Sequence, residues 1–286
     1  MRWQTSRRSD NVEDQRGTVI PRGPMIGGGA AIVILIIGLL LGADPAKLLE
    51  TVAGGSADSP SLSTGTSTGG TADDQSVEFV SAVLGETEDV WQELFIQSGR
   101  TYERPHLVLF TGAARSACGL ADAATGPFYC PGDRKVYLDI SFFRELEKGF
   151  GASGDFARAY VIAHEIGHHV QNQLGIMERV DRMRERMSER EYKQLSVRLE
   201  LQADFLAGVW ANHAQKSRQI LEAGDVEEAL NAASAIGDDR IQKQMQGYVV
   251  PDAFTHGTSA QRVRWFRLGL ESGDMRRGDT FAADPL

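Results

Sequence analysis

Residues 164–168 read His-Glu-Ile-Gly-His. On a helix, side chains four apart lie one turn apart on one face, so His164 and His168 present two imidazoles to a common point. That pair suits a zinc ion held at about 2.0–2.1 Å from each ring nitrogen. Glu165, one residue along, turns away from the ligand axis yet stays close enough to take a proton from a water in the site, as the general base of a hydrolysis must. Two imidazoles leave the coordination incomplete. A second pair four apart, Glu200 and Asp204, stands in RLELQADFLAGVWANH. Its neighbours Leu199, Leu201, Ala203, Phe205 and Leu206 are apolar, and a carboxylate on such a helix needs a partner. Glu200 is the candidate third ligand, completing a site for one zinc ion per chain. Asp204 is the candidate acceptor for the free N–H of a ligand imidazole, that of His164, which fixes its tautomer.

Two long helices must carry these groups. The first is expected over 155–174, with Gly154 and Asp155 at its start and Gly175 as its stop. The second is expected over 188–213, where Ser188 and Glu191 form a capping box. Helical spacing also marks 77–97, 140–150, 225–246 and 259–270. HLVLF (106–110) and KVYLD (135–139) read as short strands. A few strands followed by a run of helices predicts a mainly helical α+β domain with a small sheet. His106, His213 and His169 read as structural, His169 because it points about 100° away from the ligand face.

The rest of the chain places that domain. The 286 residues carry 30 Lys and Arg against 39 Asp and Glu, a net charge of −9, and an acidic chain without a basic block is a poor binder of nucleic acid. Residues 25–43 contain no charge and suffice to cross a hydrocarbon core, so a transmembrane signal anchor is expected there. Arg2, Arg7, Arg8, Arg16 and Arg22 precede it, which predicts a single pass with residues 1–24 as a cytoplasmic tail and everything after the span outside the cytoplasmic membrane. Residues 44–76, rich in Gly, Ser and Thr, read as a flexible linker, and 77–286 as the catalytic domain. Cys118 and Cys130 are the two cysteines. Their twelve-residue separation in a Gly- and Pro-containing stretch predicts a disulfide in an oxidising compartment.

The segments AYVIAHEIGHHVQNQLG, LELQADFLAGVWA, SACG…GPFYCPGDRKVYLD and FTHGTSAQRVRWF, with the N-terminal RRSDNVEDQRG, resemble the neutral zinc metallopeptidase family of bacterial membrane-anchored proteins. The resemblance implies a zincin-like domain of gluzincin type, with His164, His168 and Glu200 on zinc, Glu165 as base and Asp204 behind a ligand. It also implies a place beside the metal for His256 and Arg262, where either could stabilise a developing oxyanion. An edge strand would take the peptide substrate by β-addition, with KVYLD or residues 115–118 as candidates. Phe205 departs from the family, which often has Cys after the QAD. The expected activity is zinc-dependent endopeptidase cleavage. The alternatives are a zinc hydrolase of cell-wall or other non-peptide amides, and a catalytically silent zinc-containing scaffold at the membrane.

Overall fold

Hydrophobic alternation builds the sheet. In KVYLD, Val136 and Leu138 face one side and Tyr137 the other, and all three are buried. The computed structural model describes residues 1–18, 72–122 and 126–286. Five short strands follow β1 (Val12–Asp14): β2 (His106–Phe110), β3 (Ala113–Ser116), β4 (Gly119–Asp122), β5 (Phe128–Cys130) and β6 (Lys135–Asp139). The main sheet has the order β1-β2-β6-β5. β1, β2 and β6 run parallel, while β5 closes antiparallel onto β6 with Tyr129 opposite Val136. Leu107, Leu109, Val136 and Leu138 point into the helical core, whereas Val108, Phe110 and Tyr137 pack with Ala114 and Cys130 on the other face. The separate β3–β4 hairpin thus helps cover the face that the helices leave open. The Cys118–Cys130 disulfide forms as expected and fastens this hairpin to β5.

Eight α-helices are described: α1 (Ala72–Gln97), α2 (Ser141–Lys148), α3 (Asp155–Gln173), α4 (Ile176–Arg184), α5 (Glu189–Arg218), α6 (Asp225–Ala235), α7 (Asp238–Gln246) and α8 (Ser259–Ser272). α3 starts after Gly154 without a side-chain cap of its own. Glu228 on α6 supplies the acceptor instead, taking the Phe156 N–H at 3.0 Å. α3 gives way at Gly175, which sits in the left-handed region at φ 72°. The expected Ser188–Glu191 capping box opens α5. Trp91, Phe156, Tyr160, Phe205, Trp210 and Phe266 fill the core where α1, α3, α5 and α8 meet.

Several expectations need correction. The helix expected over 225–246 is two helices, because the chain turns extended at Gly237 (φ −72°, ψ 142°) before α7. Thr258 caps α8, paired with Gln261 in a capping box. α1 starts at Ala72, inside the expected linker, and α5 runs five residues beyond His213. KVYLD is interior, between β2 and β5, and residues 115–118 belong to the hairpin region, so neither is a free edge of the main sheet. Residues 25–43 lie outside the described residues, and among those described no helix is long and apolar enough to cross a membrane.

The largest difference concerns the N-terminus. The sequence sets residues 1–24 apart from the domain, yet residues 1–18 are built onto it. β1 adds to the edge of β2, with Val12 opposite Leu107. The preceding backbone lies so close to α1 that a Cβ on Gly85 would come within 2.5 Å of the Arg7 carbonyl oxygen. Gly85→Val is therefore expected to lower stability by about 1–3 kcal/mol, read by denaturant unfolding of the full chain, with the α1 interior otherwise unchanged.

Candidate metal centre

α3 and α5 bring the two predicted pairs together. They can approach because the small residue in His-Glu-Ile-Gly-His sits at the crossing: a Cβ on Gly167 would meet the Ala203 carbonyl oxygen at 2.9 Å. At this contact, the Nε2 of His164 lies 3.2 Å from one Glu200 oxygen and the Nε2 of His168 lies 3.5 Å from the other. One donor atom from each of the three residues falls within 4.8 Å of the others. Tetrahedral ligands at zinc distances are spaced roughly 3.4 Å apart, so these three donors have the spread that one ion requires.

The far side of each ring is occupied, which decides which nitrogen faces the common point. His164 donates from Nδ1 to Asp204 at 2.8 Å, as the sequence predicted. His168 donates from Nδ1 to the Gln171 side-chain oxygen at 2.9 Å. The Gln171 amide is itself fixed, donating to the Leu199 carbonyl at 2.8 Å and to Gln202. Sequence reading missed Gln171, although its position three residues after His168 places it on a neighbouring helical face. With both Nδ1 atoms engaged as donors, both Nε2 lone pairs are free for a metal.

Electrostatics point the same way. Burial drives the His164 pKa down, but the Asp204 and Glu200 carboxylates override it and raise it to about 10. The anionic surroundings hold positive charge at this point, whether it comes as a proton or as a metal ion. Burial pushes Glu200 up, yet the two histidines hold it well below the usual carboxylate range. The donor set therefore fits a divalent cation.

Asp204 is fully buried and answers to two elements. Besides His164, it accepts from the Arg262 guanidinium of α8, Nε at 2.8 Å and Nη2 at 2.9 Å, and from the Tyr160 hydroxyl. Burial would raise its pKa, but Arg262 and His164 lower it to about 2. Arg262 also donates to the Ile236 carbonyl at 3.1 Å and is itself buried. The guanidinium is thus engaged with Asp204 and the Ile236 carbonyl, and Arg262 also lines the cleft.

Glu165 and His256 line one open cleft with the three ligands, about 600 Å³ in volume. Burial raises the Glu165 pKa against the pull of His164 and His168. His256 receives an orienting partner that the sequence did not reveal. Asp238, at the start of α7, accepts the backbone N–H groups of Thr255, His256 and Gly257 and lies 3.2 Å from His256 Nδ1. The break between α6 and α7 is what presents Asp238 to this loop. Partial desolvation pulls the His256 pKa down, but Asp238 and Glu200 together raise it.

Along one rim of the cleft runs the approach to β5, from Gly126 to Tyr129. The Tyr129 hydroxyl accepts from Asn172 at 2.8 Å and lies 3.2 Å from His169 Nδ1, while His169 Nε2 meets the Glu103 carbonyl at 2.7 Å. His169 is structural as expected, and its work is to hold the edge strand against the helix that carries the ligands. His213 bonds the Gly273 carbonyl at 2.8 Å, and His106 lies beside Glu13 at the other end of the sheet.

The family described as "Putative neutral zinc metallopeptidase" matches residues 1–281. The chain belongs to this family. It is 46% identical over 289 residues to the Escherichia coli K12 protein YpfJ, covering 98% of this chain and 99% of that one. It is 43% identical over 217 residues to Mycobacterium bovis Mb2605 and to Mycobacterium tuberculosis H37Rv Rv2575, covering 72% of this chain and 71% of each relative. These relatives carry the description "uncharacterized". No solved structure matches the chain. Membership implies zinc, and among the described residues His164, His168 and Glu200 form a group that could hold it. Asp204→Asn keeps the volume but weakens the acceptor behind His164. Zinc affinity is expected to fall about 10–100-fold by competition with a chromophoric chelator.

Proposed function

We propose that this protein is a zinc-dependent endopeptidase of gluzincin type, acting on peptide or protein substrates outside the cytoplasmic membrane. The observation that carries this reading is Glu165, a buried carboxylate in the same cleft as the ligand triad and not part of it. A purely structural metal site has no use for a base beside an open cleft. The disulfide supports an oxidising compartment.

Zinc held by His164, His168 and Glu200 would supply Lewis acidity, lowering the pKa of water and polarising the substrate carbonyl. Burial tunes Glu165 upward, toward the range where a carboxylate can both accept and return a proton. Glu165 takes the proton of the attacking water and delivers it to the departing amine. Asp204 and Gln171 keep the two imidazoles in their ligand tautomers throughout. His256, held by Asp238, extends an N–H into the cleft and stabilises negative charge on the former carbonyl oxygen. β5 is the edge of the main sheet that borders the cleft, and an extended peptide pairs there by strand addition. Val161, Ile236 and Ile241 offer an apolar wall to a substrate side chain beside the scissile bond.

Glu165→Gln is expected to retain stoichiometric zinc by elemental analysis while losing at least about a hundredfold in turnover of an unbiased peptide library. Cell-wall amide fragments assayed in parallel separate the peptidase reading from a non-peptide amidase, since cleavage of those fragments alone would overturn it. His256 gives a sign to the pH profile. Its pKa is raised in the folded protein, so the charged donor persists below that value and is lost as pH rises through it. Wild-type kcat/KM is expected to show a descending alkaline limb that His256→Ala lacks, together with a lower plateau.

A further inference from the structure

Residues 1–18 are tied to the domain by more than one strand pair. Glu88 stands within α1 with its side chain fully buried, and three donors from the N-terminal arm converge on it. Arg7 Nη2 lies at 2.7 Å, Ser9 Oγ at 2.6 Å and Asn11 Nδ2 at 2.7 Å. All three side chains reach the same carboxylate across a bend at Asp10. A buried carboxylate that loses its donors is strongly destabilising, which makes the arm part of the reason Glu88 can be there.

The backbone is engaged as well. The Ser9 N–H donates to the Ser81 carbonyl at 3.0 Å, and the Ser81 hydroxyl returns a bond to the Ser9 carbonyl at 2.9 Å. Leu107 N–H meets the Asn11 carbonyl and Gln15 N–H meets the Leu109 carbonyl, which continues the ladder with β2 beyond each end of β1. The Trp3 indole donates to Asp155 at 3.0 Å, at the first residue of the helix that carries the metal ligands, and packs edge-on against Phe79. Gly85 leaves room for this approach. Side-chain chemistry, backbone pairing and steric allowance all agree on the same docking.

That docking conflicts with a single membrane pass between the arm and the domain. Neighbouring strands sit about 4.8 Å apart, whereas a hydrocarbon core is about 30 Å thick. A cytoplasmic tail at residues 1–24 and an exported domain at 77–286 would hold β1 and β2 on opposite faces. We propose that residues 1–18 and the domain occupy the same side of the membrane as one folded unit, and that Arg7 is a structural ligand of the domain and not part of a cytoplasmic retention signal. Arg7 spends its guanidinium on Glu88 and Asp89, and Arg8 spends its own on the Ser6 and Trp3 carbonyls. The positive flank that predicts an inside N-terminus is in these two cases already neutralised or engaged.

The test uses the full chain with a single added cysteine, either Thr5→Cys in the arm or Ile96→Cys on α1, both exposed. Intact spheroplasts and lysed controls are treated with a membrane-impermeant maleimide, and labelled peptides are identified by mass spectrometry so that Cys118 and Cys130 stay distinguishable. The expected result is the same intact-to-lysed labelling ratio at both positions. Equal reaction in intact cells supports the proposal, and equal protection until lysis supports it with the unit on the inner face. Protection of one position with reaction of the other overturns it. Neither result depends on zinc or on peptidase activity, so failure here is separable from failure of the functional reading.

Discussion

Asp204 is the constraint around which the domain is organised. A carboxylate buried to this extent has to be met by donors, and those donors come from two other helices: His164 and Tyr160 from α3 and Arg262 from α8. The same oxygens that anchor Arg262 also orient the ligand ring, so the packing of α8 on α5 and the tautomer of His164 are one problem with one solution. Removing Arg262 or Asp204 alone would leave the other's buried charge unmatched, which is far costlier than the pair is stabilising. The metal centre is therefore not added to a finished core. It is the polar part of that core, opened to solvent on one side.

The sheet serves the centre through its two edges. β1 covers one of them with residues from the start of the chain, and the arm that precedes it is bonded into α1. The other edge, β5, is held by its disulfide to the hairpin and by Tyr129 to Asn172 and His169. β1 and β5 are thus the two edge strands, and β5 is the one that borders the cleft.

Much of the site was legible because its grammar is local. Helical spacing places His164 with His168 and Glu200 with Asp204 without reference to anything distant, and apolar neighbours mark the second pair as needing partners. Cys118 and Cys130 pair as their separation suggested. Gln171 and Asp238 were not legible, since an amide and an acid look like surface residues until the group they orient is in view. For Arg262, the family pattern places a charge near the site, but nothing in the chain says where its guanidinium points. It turns to Asp204 while still lining the cleft. The short strands β1, β3, β4 and β5 carried too few residues for a period, and three or four positions cannot distinguish a strand from a loop.

The sequence by itself determined which side chains could bind a metal, which carboxylate could act as base, and the family to which they belong, because those properties reside in residue type and in spacings of one helical turn. Only the tertiary structure decided that the two helices cross at Gly167 to close the triad, that α8 supplies the counter-charge for Asp204, and that the N-terminal arm belongs to the domain. Each of these depends on contacts between residues tens to hundreds of positions apart. Such contacts are set by burial and donor–acceptor matching in three dimensions and leave no periodic trace along the chain.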